Sequence, residues 1–151
     1  MKLQILEHQA IILHNLISYR TSLARDALPA FIRHCLENIG SLGMEPTGRI
    51  LFTEDSSRAE NMEVLIPVSR EPESCPQYEN KPVFKLLNAV SARHEGDFAD
   101  MHRIEEGLRA YAADRDYQVI TNPYYSIVRL DPDRPGSAII DIYLGINSNI
   151  L

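Results

Sequence analysis

One order of predicted elements, a strand, a helix and two strands, occurs twice along the chain, and this constrains the fold of the 151 residues more than any other feature. A polar segment over 69–82 that contains three prolines lies between the two copies. Proline interrupts helices and central strands, so we expect this segment to be a linker. The order predicts one α+β domain of tandem duplicated β-α-β-β units, with a first repeat at about 1–68 and a second at about 83–151.

In the first repeat, runs rich in apolar and β-branched residues predict strands over 9–19, 49–53 and 62–68. A helix is predicted between the first two strands, with Asp26 as a candidate N-cap and two glycines at its end. Its apolar residues recur at helical spacing and form a stripe of Leu28, Phe31, Ile32, Cys35, Leu36 and Ile39. The first repeat is therefore predicted to contain three strands and one helix, and the apolar face of the helix is expected to pack against the strands.

The second repeat has the same plan. Strands are predicted over 83–94, 124–130 and 138–146, and a helix begins near Asp97, a candidate N-cap. The apolar face of this helix is formed by Met101, Ile104, Leu108, Tyr111 and Ala112. The chain is thus predicted to carry two main helices.

The two halves align with each other residue by residue at several positions. Arg20 and Arg93, which are 73 positions apart, each end a first strand. The same offset places four core residues of the first helix on four of the second: Leu28, Phe31, Cys35 and Ile39 on Met101, Ile104, Leu108 and Ala112. An offset of 76 pairs Asp55 with Asp131, which implies a small insertion in the second half. Such self-similarity predicts a duplicated unit that buries a shared core.

Charge and composition exclude several classes of function. The formal charge is −6 and the lysines and arginines form no cluster, so direct binding of nucleic acid is not expected. No apolar run is long enough for a membrane span, and the cytoplasm is the expected location. Cys35 and Cys75 are predicted to be reduced thiols. The spacing of His94 and His102 matches no common zinc pattern, so neither a metal nor a cofactor is predicted.

Four runs of the second repeat resemble the GyrI-like small-molecule-binding superfamily, which includes the effector-binding domains of AraC-type and MerR-type regulators. The run ARHEGDF at 92–98 is similar to the strand-to-helix signature of that family. It is followed at the expected spacing by NPYYS at 122–126, LDP at 130–132 and the closing run IIDIYLGI at 139–146. The first repeat is similar more loosely, through 62–68 and two glycines.

The resemblance implies an antiparallel sheet with an inter-repeat groove that binds lipophilic, often cationic or aromatic, small molecules. Other members of the family include a DNA gyrase inhibitor and hydrolases that use a glutamate in the groove, so the resemblance also allows these two functions. Ser126 stands where the family usually has an acidic residue, and Val128 where a tyrosine is usual. Neither a counter-charge for a cation nor a carboxylate base is therefore expected at this position, and an enzyme of that type is not predicted.

Seven side chains are predicted to line the groove: Tyr19, Phe52, Arg93, Tyr124, Ser126, Asp141 and Tyr143. The aromatic residues would form apolar walls with few polar groups between them, as in most ligand pockets. Each aromatic residue alone is also compatible with a core position. Asp141 interrupts an isoleucine-rich strand, where it would pair with Arg93 or Arg129 if buried, or face water on an edge strand. Glu105 and Glu106 are predicted to lie on a solvated helix face.

The predicted function is a non-catalytic small-molecule-binding or sensor domain, with a lipophilic or aromatic ligand and no DNA-binding segment before the first strand. Exposed strand edges would allow a protein partner or a homodimer. Two alternatives remain open at this point. One is a protein-interaction module resembling the gyrase-inhibitor branch, and the other is a small hydrolase.

Overall fold

Residues 3–131, 133–134 and 136–147 are described by the computed structural model of the chain. The elements, in chain order, are β1 (Leu6–Thr21), α1 (Leu28–Ser41), β2 (Leu51–Glu54), β3 (Met62–Pro67), β4 (Glu79–Asp97), α2 (Met101–Asp114), β5 (Gln118–Val119), β6 (Tyr124–Leu130) and β7 (Ser137–Asn147). The predicted α+β class is confirmed, with two main helices and one seven-stranded antiparallel sheet. The short β5 is an addition to the predicted order. None of the helices in the described residues is long and apolar enough to cross a membrane.

Six of the strands close into a ring through their hydrogen bonds. The order is β4-β1-β3-β2-β6-β7, and β7 pairs in turn with β4, while β5 extends the sheet beyond β7. The long strands make this possible because they change partner along their length. In β4, positions 79–91 pair with β1 and positions 89–97 pair with β7. The ring therefore has an outer face that meets the helices and an inner face that encloses the space between the two halves.

The outer face and the two helices form the main hydrophobic core. Helix α1 contributes Leu28, Ile32, Cys35 and Ile39, which are buried as their spacing predicts. Helix α2 contributes Met101, Leu108 and Ala112. Each helix is entered through a 3₁₀ turn. Asp97 occupies the N-cap position of the turn before α2, as predicted, whereas Asp26 lies inside the turn before α1, and neither side chain makes a capping hydrogen bond.

Strand β4 begins at Glu79, inside the segment predicted as a linker, and it continues through Pro82. The proline fits because β7 joins β4 only from Ala89, so position 82 has its sheet partner on the β1 side alone. Pro82 also lies opposite Asn15, which has a positive φ of 56°. The paired residues of β1 and β4 pass directly from His14 with Val83 to Leu16 with Lys81. An edge position at an irregularity is where a strand tolerates proline.

The strand registers of the two halves correspond. Arg20 lies opposite Glu63 between β1 and β3, and Arg93 lies opposite Asp141 between β4 and β7. Phe52 and Tyr125, which differ by the same 73 positions as the two arginines, face each other where β2 pairs with β6. The two halves thus meet at equivalent residues, and the additional residues of the second half lie between β6 and β7.

A polar cluster joins the two halves on the helix side of this contact. Arg25, just before α1, donates hydrogen bonds to Glu54 of β2, to Glu105 of α2 at 2.9 Å and to the Tyr125 hydroxyl at 3.1 Å. Tyr125 donates to Glu105 and stacks on Phe52, with 4.6 Å between the ring centres. The prediction that Glu105 is solvated is wrong, because its side chain is only 19% exposed and pairs with Arg25.

We expect Arg25→Gln to lower the free energy of unfolding by about 2 kcal/mol, because it leaves two half-buried carboxylates without their shared partner. Urea unfolding at pH 7 measures this change. The matched control is Arg109→Gln, an exposed arginine on α2, which should change the value by less than about 0.5 kcal/mol. Equal stability of the two variants would contradict a role of the cluster in joining the halves.

Candidate ligand-binding site

The middle of the inner face is filled by the chain itself. Leu16, Leu51 and Leu65 form a buried cluster, and they are covered by Ile11, Leu13, Phe84 and Tyr124. The Phe84 ring from β4 meets the Tyr124 ring from β6 at 5.0 Å between centres, although these two strands are not hydrogen-bonded to each other. Apolar side chains from opposite walls of the ring therefore touch across its centre. Among the described residues, two cavities border the inner face on either side of this apolar centre, and the larger one also reaches α2 on the helix side.

The larger cavity has a volume of about 890 Å³. One wall is formed by side chains of β4 and β7, namely Ser91, Arg93, Asp141 and Tyr143, and Arg49 joins it from the loop before β2. The other walls come from Leu3, from the start of β1, and from α2 with its preceding turn, and they include Leu6, Gln9, Asp100, Arg103 and Ile104. The cavity thus combines a polar wall with several apolar side chains, which is the usual composition of a small-molecule site.

Asp141 is the centre of the polar wall. Arg93 donates to it from Nε at 2.8 Å and from Nη2 at 3.1 Å, and Arg49 donates from Nη1 at 2.8 Å. Of the two partners predicted for a buried Asp141, Arg93 and Arg129, the structure pairs it with Arg93, and the second partner is Arg49. The reason is the register, since Asp141 lies directly opposite Arg93 on β4 and Ser126 on β6. A bidentate arginine fixes both the position and the charge of the carboxylate.

Asp141 stays ionised in this environment. Burial alone would raise the pKa of the carboxyl group, but the hydrogen bonds from Arg93 and Arg49 outweigh it and hold the pKa below its usual range. The carboxylate side chain is 16% exposed, while the side chains of Arg93 and Arg49 are 49% and 48% exposed. The charged surface presented to the cavity at this point is therefore mainly guanidinium.

Tyr143 supplies an aromatic surface beside this cluster. It lies two residues after Asp141 on the same face of β7, and it faces Ser91 of β4 and Tyr124 of β6 in the register. The ring is half-buried, and burial together with the nearby Asp141 raises the pKa of its hydroxyl. Tyr143 is therefore a neutral side chain that can offer both a ring face and a hydrogen bond.

Three of the seven predicted residues, Arg93, Asp141 and Tyr143, line the larger cavity together. Ser126 is buried beside them, directly opposite Asp141. Tyr124 lies at the centre of the inner face and borders the smaller cavity. The strand registers thus place five of the predicted residues on one face of the sheet.

Tyr19 and Phe52 lie on the other face. Tyr19 is buried against α1, where its hydroxyl donates to Asn38 at 2.8 Å and its ring meets Phe31 edge-on. Phe52 is fully buried under Tyr125 in the helix-side core. The alternation of side chains along β1 and β2 turns both rings away from the cavities. The structure thus does not bring these two residues to the predicted groove.

The smaller cavity, of about 350 Å³, lies beside Glu63 and Arg20, and Ile120, Thr121, Asn122 and Tyr124 form another wall of it. Its buried carboxylate is Glu63, which accepts a hydrogen bond from Ser18 at 2.5 Å and pairs with Lys81 at 2.9 Å and with Arg20 at 3.3 Å. Burial would raise the pKa of Glu63, but Ser18 and the two basic side chains lower it overall. Each half therefore holds one paired carboxylate on the inner face.

Sequence reasoning missed Arg49, Glu63 and Tyr125. Glu63 carried a usable signal, because it interrupts an apolar strand in the same way as Asp141 does. Tyr125 shared its strand with the predicted Tyr124 but occupied the face that was not chosen. Arg49 had no distinguishing neighbour in the sequence, since only the pairing of β2 with β6, which lies between β2 and β7, brings Arg49 within reach of Asp141. In the part of the chain that the structure describes, no group of three or more His, Cys, Asp or Glu side chains could hold a metal ion.

We expect Asp141→Asn to lower the free energy of unfolding by about 1 kcal/mol at pH 6 and by less at pH 3. The folded-state pKa of Asp141 is depressed, so its contribution is complete above the unfolded pKa of about 4 and is lost as the pH falls through the folded value. Urea unfolding at both pH values measures the difference from the wild type.

The control for this experiment is Asp114→Asn, which changes an exposed carboxylate at the end of α2. It should show little effect at either pH. A cost of Asp141→Asn that grows towards acidic pH would contradict the assigned ion pairs.

Comparison with known proteins gives a likeness in structure only. No family model and no curated protein matches the chain by sequence. The C-terminal domain of EcmrR superposes with a TM-score of 0.72 at 13% identity, covering 99% of this chain and 100% of that one. EcmrR in a complex with DNA superposes with a TM-score of 0.77 at 14% identity, and the chain spans 58% of that protein's length. A hydrolase from Listeria innocua superposes with a TM-score of 0.59 at 9% identity, and the match covers 97% of this chain and 92% of the hydrolase. At these identities the likeness establishes the fold and nothing further.

Proposed function

We propose that this chain is a small-molecule-binding domain whose ligand occupies the larger cavity. The observation that carries the proposal is the cavity itself, of about 890 Å³, in which a fixed ionic cluster stands beside apolar side chains. Pockets for small molecules commonly have this size and combine apolar walls with a few well-placed polar groups. The smaller cavity, of about 350 Å³, is lined mainly by charged and polar side chains, so the larger cavity is the better candidate.

The fold supports the same role. The C-terminal domain of EcmrR has this architecture over its whole length, and EcmrR has been seen in a complex with DNA. The runs at 92–98 and 122–126 resemble the GyrI-like superfamily, in which such domains bind small molecules. We propose that this chain is a member of the superfamily and that it acts as a sensor, in which ligand binding is passed on to a partner. The matched registers of the two halves also support an origin by duplication.

The ligand is expected to have an apolar or aromatic body. Tyr143 offers its ring, while Leu6 and Ile104 offer aliphatic surface from the start of β1 and from α2. Leu6 is 49% exposed without a ligand, so covering it would add to the favourable free energy of binding. Ser126, which lies opposite Asp141, is uncharged. We propose that the side chains of the larger cavity bind the ligand and take no part in catalysis.

A thermal-shift screen with aromatic and lipophilic compounds tests the proposal. A ligand at a hundred times its Kd should stabilise the fold by about 2.7 kcal/mol, because it binds the folded state alone. Tyr143→Ala should weaken the binding of such a ligand about tenfold or more. The control is Leu87→Ala, which removes an exposed apolar side chain of β4 that borders neither cavity.

A protein-interaction module would give a different result. It would show no stabilisation by any member of a broad panel, and that outcome would overturn the proposed function. Stabilisation that survives Tyr143→Ala would place the ligand outside the larger cavity.

A further inference from the structure

The polar wall of the larger cavity contains more positive than negative charge at its centre. One carboxylate, Asp141, is shared by two guanidinium groups, those of Arg93 and Arg49. The local sum is one positive charge. This is the reverse of a site built to hold a cation, for which the carboxylate would have to face the ligand without a competing base.

The two arginines keep hydrogen-bonding capacity beyond Asp141. A guanidinium group carries five N–H donors, and the contacts with Asp141 use one nitrogen of Arg49 and two of Arg93. About half of each arginine side chain is exposed, whereas Asp141 is largely covered. A ligand that reaches this wall therefore meets guanidinium N–H groups before it meets the carboxylate.

Other charged residues line the same cavity, and their charges also contribute to the electrostatic potential at the polar wall. Arg103, Asp100 and Glu95 all border it, and all three are exposed. Glu95 acts on Arg93, whereas the charges that act on the Tyr143 hydroxyl are those of Asp141, Arg49 and Arg93. Solvent and salt weaken the more distant interactions. The surplus of positive charge stays beside Tyr143.

We propose that the larger cavity prefers ligands in which an aromatic or aliphatic body carries a carboxylate, over neutral and cationic ligands of the same shape. This inference rests on the proposed function and names its ligand class. The carboxylate accepts hydrogen bonds from the outward N–H groups of Arg49 and Arg93, and the apolar body lies against Tyr143 and the aliphatic walls. Arginine is suited to this task, because its planar donors match the geometry of a carboxylate.

Three probes with one ring system test the preference: 1-naphthylacetate, 2-(1-naphthyl)ethanol and 2-(1-naphthyl)ethylamine. At pH 7 they carry a negative charge, no charge and a positive charge. Calorimetric titration of the full chain at low salt should give a Kd for the carboxylate about tenfold lower than for the alcohol. The amine should bind no more tightly than the alcohol. The advantage of the carboxylate should shrink as salt is added.

Two variants move the preference in opposite directions. Arg49→Gln should remove most of the advantage of the carboxylate, because the uncharged alcohol loses less affinity than the carboxylate when one guanidinium is removed. Asp141→Asn should strengthen binding of the carboxylate, because it removes the group that competes with the ligand for the guanidinium N–H donors. The control is Arg109→Gln, which removes a positive charge from α2 outside the cavity. It should leave all three affinities unchanged.

The outcomes separate this inference from the proposed function. If the alcohol binds as tightly as the carboxylate, or if the amine binds most tightly, the charge preference is wrong. The proposed function still stands in that case, provided that Tyr143→Ala abolishes binding of the alcohol. If the carboxylate binds most tightly but Asp141→Asn weakens it, the assignment of the two arginines is wrong. If none of the probes binds, the preference is overturned, and the broad thermal-shift panel decides the proposed function by itself.

Discussion

The pairing of β2 with β6 is the constraint on which the other features of the molecule depend. Three residue pairs form the register of this contact, with Phe52 and Tyr125 in the middle, and the Ile127 amide donates to the Ile50 carbonyl at 3.0 Å beside them. The contact closes six strands into a ring and turns an open groove into an enclosed space. On the helix side it is supported by the stacked rings and by Arg25, which connects both halves. A short edge contact of this kind needs such support, because two or three backbone hydrogen bonds add little net free energy.

Closure of the ring also determines where charge can be placed. The inner face has an apolar centre, so a charged side chain is tolerated only near an end, where a basic partner and water can reach it. Asp141 and Glu63 satisfy this condition in the two halves, each opposite an arginine of the neighbouring strand. They differ in their second partner and in the space beside them. Arg49 leaves room for a large cavity at Asp141, whereas Lys81 and Ser18 enclose Glu63 more tightly.

Much of the fold could be predicted from local sequence, because apolar periodicity and glycine or proline positions report directly on helices and strands. Asp141 with Arg93 was also accessible, since a carboxylate in an isoleucine-rich strand needs a partner. The assignment of Tyr19 and Phe52 to the groove required knowledge of which strand face turns inward, and aromatic residues suit both faces equally well. Arg49 and Glu105 depend on contacts between the two halves. No local pattern reports such contacts, because ring closure is a property of the whole chain.

Backbone NMR of the full chain, titrated with an aromatic compound that stabilises it, can locate the ligand. If the ligand occupies the larger cavity beside Asp141, amide shifts should concentrate on β4 around Ser91 and Arg93 and on β7 around Asp141 and Tyr143, with little change at Glu63. Shifts centred on Glu63 and Lys81, or spread over the helix face away from both cavities, would contradict binding in the larger cavity.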